Sequence, residues 1–206
     1  MNNSEEKQST VYIVDDDDAM RESLTWLIES VGLNVETYAS ADEFLESYYP
    51  GRPGCVLLDV RMPGMSGLEL QGHLQKQQVT VPVIMITGHG DVPMAVRAMK
   101  SGAIDFIEKP FNDEQLLESI RNALAIDDTR RDQQSFKAEV ASRLAQLTPR
   151  ESEVMDMVTA GKSNKEIANS LGVSAKTVEA HRAKVMEKME AGSLAELVRL
   201  VVSSHN

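Results

Sequence analysis

Cys-Val-Leu-Leu-Asp, at residues 55–59, is a short apolar run that ends at an acid, and four similar runs lie around it in the first two-thirds of the chain. Two of these are regular, Thr10 to Val14 and Val83 to Ile86, and two are less regular, Asn34 to Tyr38 and Ile104 to Ile107. The segments between them carry apolar residues at helical spacing. Nearly continuous apolar strands that alternate with helices indicate a parallel sheet covered on both faces. The sequence therefore predicts a doubly wound α/β domain with five parallel strands.

The residues at which these runs stop form one chemical set. They are Asp15, Asp16, Asp59, Thr87 and Lys109. Because residues just past the carboxyl ends of parallel strands line the crevice where ligands bind, we expect these side chains to converge. An acidic pocket that also holds a hydroxyl and an ammonium is what a phosphorylatable aspartate needs.

A divalent cation completes this chemistry. A carboxylate is a weak nucleophile towards a phosphoryl group, because like charges repel, and a metal ion removes that difficulty. Mg²⁺ prefers oxygen ligands and needs only one or two carboxylates besides phosphate oxygens. We expect Asp16 and Asp59 to be these carboxylates, with Asp15 orienting a bound water. Lys109 and Thr87 would each bond to an oxygen of the product acyl phosphate.

Four motifs at these positions resemble the receiver domain of two-component response regulators. They are Val-Asp-Asp at 14–16, Leu-Leu-Asp-Val-Arg-Met-Pro-Gly-Met-Ser-Gly at 57–67, Ile-Thr-Gly-His-Gly-Asp at 86–91 and Phe-Ile-Glu-Lys-Pro-Phe at 106–111. The stretch Gly88 to Val96 is similar to FixJ-type regulators in particular. The resemblance covers Thr10 to Ile126 and implies a flavodoxin-like fold with Asp59 as the phosphoacceptor. It also implies that Asp15, Asp16, Asp59 and the backbone carbonyl of Arg61 hold Mg²⁺, that Lys109 and Thr87 bind the phosphate, and that a cis bond precedes Pro110.

Several of these residues also have a simpler interpretation. Asp17 and Asp18 fit a helix start, where carboxylates are favoured, so only the first two acids of the run are assigned to the site. Asp59 by itself could be a turn residue ahead of Pro63 and Gly64. Phe106 is first a sheet residue, although in the family its position holds an aromatic switch that turns inward when the threonine moves. His89 lies where the family tunes dephosphorylation, and its default is a solvated loop side chain.

Composition separates the two parts of the chain. The 206 residues suit two small domains, and the net charge is −11. Residues 1–144 hold 24 acidic and 13 basic side chains, whereas residues 145–206 hold 8 of each, so the acidity belongs to the first domain. A single cysteine, Cys55, excludes an internal disulfide and suggests a reducing compartment, so we expect a cytoplasmic protein. No apolar stretch is long enough for a membrane span, and residues 1–9 form a polar tail.

A linker and four helices follow the first domain, which we place at residues 10–126. We assign residues 127–143 to a charged linker, solvated over Asp127 to Ser135 and helical in its second half, where it can continue the last helix of the domain. Residues 144–206 form an all-α domain with clear helix caps: capping boxes at Thr148 to Glu151 and Ser193 to Glu196, and capping serines at 163 and 174. A short helix from Asn164, a turn at Gly172 to Ser174 and a longer helix from Ala175 to about Met189 match helix-turn-helix geometry.

The longer helix has a mixed outward face. Val178, Val185 and Met189 share its inner side, and two small alanines lie on the other side, which could approach base edges in a major groove. Periodicity alone leaves an ordinary surface helix equally plausible. However, Leu-Thr-Pro-Arg-Glu at 147–151, Asn-Lys-Glu-Ile-Ala at 164–168 and Lys-Thr-Val-Glu-Ala-His at 176–181 resemble the LuxR/NarL-type DNA-binding domain. By position, that resemblance implies base contacts from Glu179, Ala180 and Ala183, and phosphate contacts from Lys165, Lys176, Thr177, His181, Arg182 and Lys184. Some relatives carry a lysine where this chain has Glu179, so the resemblance does not define the target DNA sequence.

Together the two resemblances imply a transcription regulator that is not an enzyme. Its expected partners are a sensor histidine kinase, double-stranded DNA, RNA polymerase and, after phosphorylation, a second copy of the chain; no membrane partner is expected. One rival is an aspartyl-phosphate enzyme for small metabolites, but the chain lacks a second acidic pair and a lid-sized insertion. Another rival is a DNA-binding module that does not depend on phosphorylation.

Overall fold

The computed structural model describes residues 9–88 and 90–205, with side chains as far as Ser203. Two expectations lie outside these residues: the role of His89, and all of the polar tail except Ser9. The chain forms two compact units that divide between Arg130 and Arg131. No described helix is long and apolar enough to cross a membrane.

A parallel sheet forms the centre of the first unit. Its strands are β1 (Thr10–Val14), β2 (Asn34–Tyr38), β3 (Gly54–Asp59), β4 (Val83–Thr87) and β5 (Asp105–Glu108). They are all parallel and follow the order β2-β1-β3-β4-β5. Strands β1, β3 and β4 are buried along their whole length, which explains their unbroken apolar sequences. The predicted five-stranded parallel sheet is confirmed.

Helices cover both faces of this sheet. They are α1 (Asp18–Ser30), α2 (Ala41–Ser47), α3 (Gly67–Lys76), α4 (Val92–Lys100) and the first part of α5 (Asp113–Leu144). Alternate strand residues point to opposite faces. Thus Val11 and Ile13 pack with α1 and α5, whereas Tyr12 and Val14 pack with α2, α3 and α4. Each fully buried side chain of this size contributes about 1.5–3 kcal/mol, so the two apolar layers fix the register that places the strand ends.

The start of α1 separates the four successive acids as expected. Asp17 is the N-cap, and its Oδ1 accepts hydrogen bonds from the backbone N–H groups of Ala19 and Met20. Asp18 lies in the first turn, where its charge interacts favourably with the helix dipole. Asp15 and Asp16 precede the cap and are left at the end of β1.

Helix α5 continues through the segment assigned to the linker, so the helical second half is confirmed, whereas the solvated stretch expected at Asp127 to Ser135 is wrong. It runs without interruption from Asp113 to Leu144 and so includes the segment assigned to the linker. Polar contacts hold the start of this segment. Asp127 Oδ2 accepts from the Gly54 N–H at 3.0 Å, Thr129 Oγ1 donates to the Ala125 carbonyl, and Arg130 Nη1 donates to the Thr80 carbonyl. A charged surface helix needs no apolar stripe when hydrogen bonds of this kind hold it, so hydropathy did not indicate the helix over Asp127 to Ser135.

The second unit is all-helical and contains the predicted helix-turn-helix. After the end of α5 come α6 (Pro149–Thr159), α7 (Asn164–Leu171), α8 (Ala175–Lys188) and α9 (Leu194–His205). Thr148 and Ser163 make full capping boxes, and Gly172 ends α7 in the left-handed conformation with φ 65°. At α9 the box differs from the prediction. Ser193 Oγ accepts from the Glu196 N–H, but the Glu196 carboxylate accepts from the Gly192 N–H, one residue earlier than a capping box requires.

Candidate functional site

Three of the predicted site residues meet at the carboxyl edge of the sheet. Asp15 directly follows β1, Asp59 is the last residue of β3, and Lys109 directly follows β5. The Lys109 ammonium donates to Asp15 Oδ2 and to Asp59 Oδ1, each at 2.8 Å. The two carboxylates are almost fully buried and the lysine is only partly exposed. One ammonium therefore bridges two acids that come from different strands.

The Asp59 carboxylate is held in a fixed orientation. Besides Lys109 at Oδ1, it accepts the Arg61 backbone N–H at Oδ2, at 2.6 Å. Burial raises the pKa of Asp59 above its usual value, although the Lys109 hydrogen bond opposes this rise. Burial would lower the pKa of Lys109, but its bonds to Asp15 and Asp59 outweigh that effect and raise it. The lysine therefore stays charged beside an aspartate whose carboxylate is more basic than an exposed one.

The oxygens expected to bind a metal are partly assembled. Asp15 is buried, and its Oδ1 accepts the Asp17 N–H at 2.9 Å. Asp16, the next residue in the chain, is exposed. Among residues 9–88 and 90–205 no group of three or more acidic, histidine or cysteine side chains is close enough to hold a metal ion. Asp15 and Asp59 nevertheless share one cation, the Lys109 ammonium, and their hard oxygen atoms suit Mg²⁺. The donor chemistry of these two carboxylates therefore fits the ion, and Asp16 adjoins Asp15 in the chain.

Thr87 and Phe106 lie against the same small space. Thr87 is fully buried at the end of β4, and its carbonyl accepts the Lys109 N–H at 2.7 Å. The Phe106 ring is partly buried against the apolar layer on that face of the sheet. A Cβ placed on Gly90 would lie 3.0 Å from Phe106 Cε1 and 3.2 Å from Thr87 Cγ2. Because residue 90 has no side chain, a small space remains between Thr87 and the Phe106 ring. This space is compatible with Phe106 as a sheet residue and with Phe106 as an aromatic switch.

Gly67 is a site-supporting residue to which sequence reasoning gave no role. A Cβ at this position would lie 2.2 Å from the backbone oxygen of Asp59, so only glycine allows α3 to begin this close to the end of β3. Its N–H donates to the Val60 carbonyl at 3.1 Å. Gly67 is the last glycine of the motif at 57–67, but its place in the motif does not show that the backbone of Asp59 lies so close to it.

Helix α8 presents a polar outer face in the second unit. Val178 and Val185 are buried, as predicted, whereas the base-contact candidates Glu179, Ala180 and Ala183 are exposed. Lys165, Lys176 and Thr177 are also exposed, near the start of α7 or α8. The structure therefore leaves these candidates exposed to solvent, as a contact with DNA requires.

Some of the predicted phosphate contacts are bonded to other side chains or partly buried within the unit. Arg182 is partly buried, and its Nη1 donates to Asn164 Oδ1 at 2.7 Å, which links α8 to the first residue of α7. Lys184 Nζ donates to Glu187 Oε2 at 2.8 Å on the surface. His181 is half-buried. Arg182 thus holds the helix-turn-helix together, a contact that periodicity could not indicate.

Comparisons with known proteins match this two-part organisation. The family model for the response regulator receiver domain matches residues 11–121. The model for bacterial regulatory proteins of the luxR family matches residues 145–201.

Similar proteins share this arrangement over almost their full length. The chain is 48% identical to the transcriptional regulatory protein FixJ of Azorhizobium caulinodans, over 93% of this chain and 91% of that protein. It is 44% identical to the transcriptional regulatory protein TdiR of Thauera aromatica, over 96% of this chain and 88% of that protein. Among solved structures, the response regulator StyR matches with a TM-score of 0.89 and 44% identity, over 95% of this chain and 98% of that one. Full-length FixJ from B. japonicum matches with a TM-score of 0.57 and 44% identity, over 96% and 97%.

Proposed function

The chain belongs to the FixJ-type two-component response regulators, which join a receiver domain to a LuxR-family DNA-binding domain, and from this we propose that phosphorylation of Asp59 controls its binding to DNA. The observation that carries the proposal is the Asp15–Lys109–Asp59 arrangement at the carboxyl edge of the sheet. We take residues 10–126 as the receiver domain, 127–143 as the linker and 144–206 as the DNA-binding domain.

The phosphoryl transfer begins with the Asp59 carboxylate. One of its oxygens attacks the phosphorus of a phosphohistidine on a sensor histidine kinase. The new O–P bond forms while the N–P bond breaks, and the kinase histidine, protonated on its other ring nitrogen, leaves as neutral imidazole. Lys109 is already bonded to Asp59 and is placed to neutralise a phosphoryl oxygen, while the Thr87 hydroxyl donates to another. Asp15, Asp16, Asp59 and the backbone carbonyl of Arg61 would hold Mg²⁺. When bound, this ion offsets the repulsion between the carboxylate and the incoming phosphoryl group.

Phosphodonor labelling tests this assignment. Asp59→Asn should take up no phosphoryl group from acetyl phosphate and Mg²⁺, because an amide is not a nucleophile of this kind. Asp16→Ala should lose the dependence on Mg²⁺, and Asp42→Asn, an exposed acid on α2, is the matched control that should label normally. The label should be mapped by peptide mass spectrometry. Full labelling of Asp59→Asn, with the modification on another aspartate, would reject the site.

A surface next to the phosphorylation site can change when Asp59 is phosphorylated. Phosphorylation adds roughly −1.5 to −2 charges beside Thr87 and Lys109. Movement of the threonine towards this charge leaves space next to Gly90 that the Phe106 ring can fill. Helix α4 follows directly, and its Val92, Val96 and Met99 are exposed at spacings of four and three residues, an apolar stripe on one side of the helix. Together with Phe106 and α5, this stripe supports a symmetric dimer that forms after phosphorylation.

Dimerisation would place two copies of α8 on one DNA face. We propose inverted half-sites about one helical turn apart, roughly 34–36 Å. Glu179, Ala180 and Ala183 would face the bases, and Lys165, Lys176, Thr177, His181 and Lys184 would contact phosphates. Arg182 would also contact a phosphate while its guanidinium keeps the hydrogen bond to Asn164. Because phosphate contacts dominate the affinity, binding should weaken steeply with salt.

The remaining partners follow from this role. A regulator of this kind acts where the DNA and RNA polymerase are, so we propose a cytoplasmic protein that influences the polymerase at its promoters. The rival activity, an aspartyl-phosphate enzyme for small metabolites, predicts turnover of a small phosphorylated substrate without a kinase. Labelling by a histidine kinase, or by acetyl phosphate with acetate as the leaving group, followed only by hydrolysis of the aspartyl phosphate to inorganic phosphate, separates the two.

A further inference from the structure

An acid lies on the exposed side of the first half of α8, a position where a negative charge is a disadvantage for DNA binding. Glu179 is exposed between Val178 and the small Ala180, one turn before Ala183. Within the described residues its carboxylate makes no hydrogen bond and no ion pair. Phosphate groups repel it, so it weakens any complex in which it meets only the backbone of DNA.

The helix itself leaves this carboxylate available to an outside donor. The cation three residues further along is Arg182, and its guanidinium is turned to Asn164 on α7. The residue four positions further is Ala183, and the next lysine, Lys184, is paired with Glu187. The neighbouring cations on the C-terminal side are thus engaged elsewhere, and the two alanines leave the space beside Glu179 open.

The bases offer only two kinds of donor in the major groove, the amino groups of cytosine and of adenine. The adenine amino group lies between two acceptors, N7 of adenine and O4 of the paired thymine, and both repel a carboxylate. The cytosine amino group has an acceptor, O6 of the paired guanine, on one side only, and an apolar C–H edge on the other. A carboxylate therefore gains more at cytosine.

We infer that Glu179 accepts a hydrogen bond from a cytosine amino group and makes a C·G pair the preferred base pair at one position of each half-site. This inference rests on the proposed function, since it assumes that α8 enters the major groove. A correct base at such a position is worth a discrimination of about 5- to 150-fold over the others. The same acid lowers affinity for every site that lacks the amino group, so it acts mainly by exclusion.

Selection from a duplex library tests the inference directly. The full chain, treated with acetyl phosphate and Mg²⁺, is used to enrich DNA with a random segment of about 20 base pairs, enough for two half-sites about 10 base pairs apart. The wild type should enrich cytosine at one position in each half-site. Glu179→Ala should lose the preference at that position alone, and Glu179→Gln should move it to adenine, because an amide can both donate to N7 and accept from the amino group. Glu187→Gln, an exposed acid two turns along, should change affinity without changing any base preference.

Two outcomes overturn the inference, and they differ from failure of the proposed function. If Glu179→Ala selects the same bases as the wild type at every position, DNA binding stands but Glu179 does not read a base. If it binds all sequences more weakly by the same factor, its role is structural. If the wild type enriches no sequence at all, DNA binding itself is wrong and the inference fails with it.

Discussion

Replacing Lys109 by methionine should expose how strongly the site depends on its one bridging ammonium. The lysine pairs two carboxylates at 2.8 Å each, and the Asp15 and Asp59 side chains are only 4% and 8% exposed. Removing one partner of a buried pair costs about 3–5 kcal/mol, because a charge is left without compensation. Here each acid keeps one backbone N–H, from Asp17 or Arg61, so we expect the lower end, about 3 kcal/mol.

The loss should depend on pH and on Mg²⁺. Without Lys109, the pKa of Asp59, already raised by burial, should rise further. As the pH falls through this raised value, Asp59 becomes neutral in the variant and no longer repels Asp15. The stability difference between wild type and variant should therefore shrink at low pH. Mg²⁺ should stabilise the variant more than the wild type, because no ammonium competes for the two carboxylates.

Urea unfolding without Mg²⁺, followed by circular dichroism and by the fluorescence of Trp26, the only tryptophan, measures these quantities. Lys100→Met is the control, since Lys100 is an exposed lysine on α4. The reasoning is refuted if Lys109→Met is as stable as the control within about 0.5 kcal/mol, or if Mg²⁺ stabilises wild type and variant equally.

Three further predictions concern the switch, the dimer surface and the DNA-binding unit. Gly90→Ala should keep Asp59 labelling but weaken dimerisation about tenfold, because the added Cβ fills the space between Thr87 and Phe106. Gly88→Ala is the control: a Cβ at that position meets nothing within 4 Å, so this variant should behave as wild type. Val96→Glu should abolish dimerisation in sedimentation experiments without affecting labelling, while Val31→Glu, an equally exposed valine after α1, should leave the dimer intact; a dimer in both variants would exclude the α4 stripe. Glu151→Gln should lower the melting temperature at pH 6 more than Glu153→Gln does. The hydrogen bond from Lys188 lowers the pKa of Glu151 to about 2. The stabilisation that this bond gives the folded state is therefore fully present above the ordinary pKa near 4.5 and is lost as the pH falls towards 2. A difference that persists unchanged at pH 3 would contradict this account of Glu151.

The sheet and the ends of its strands could be predicted because burial on both faces leaves an unbroken apolar sequence that stops at a polar residue at the carboxyl edge of the sheet. Cys55 to Leu58 and the acid after it show this pattern clearly, and topology then brings Asp59 to Asp15 without any contact being visible in the sequence. Helix starts at Thr148, Ser163 and Ser174 were equally predictable, because a capping side chain acts over only three residues.

Contacts between segments far apart in sequence could not be predicted in this way. The hydrogen bond from Gly54 to Asp127 joins residues 73 positions apart and helps to hold α5 across a segment that looked like a linker. The close approach of Gly67 to Asp59 and the Arg182–Asn164 bond likewise depend on how elements pack. The periodicity of apolar residues indicates which face of a helix is buried, but it does not indicate which polar atoms form hydrogen bonds with the helix.

Sedimentation velocity of the full chain, with and without acetyl phosphate and Mg²⁺, tests the central claim most directly. Wild type should change from monomer to dimer in proportion to the fraction of Asp59 that is labelled, and Asp59→Asn should stay monomeric under the same conditions. Complete labelling of Asp59 with no change in mass would contradict the proposal that this site controls assembly and, through it, DNA binding.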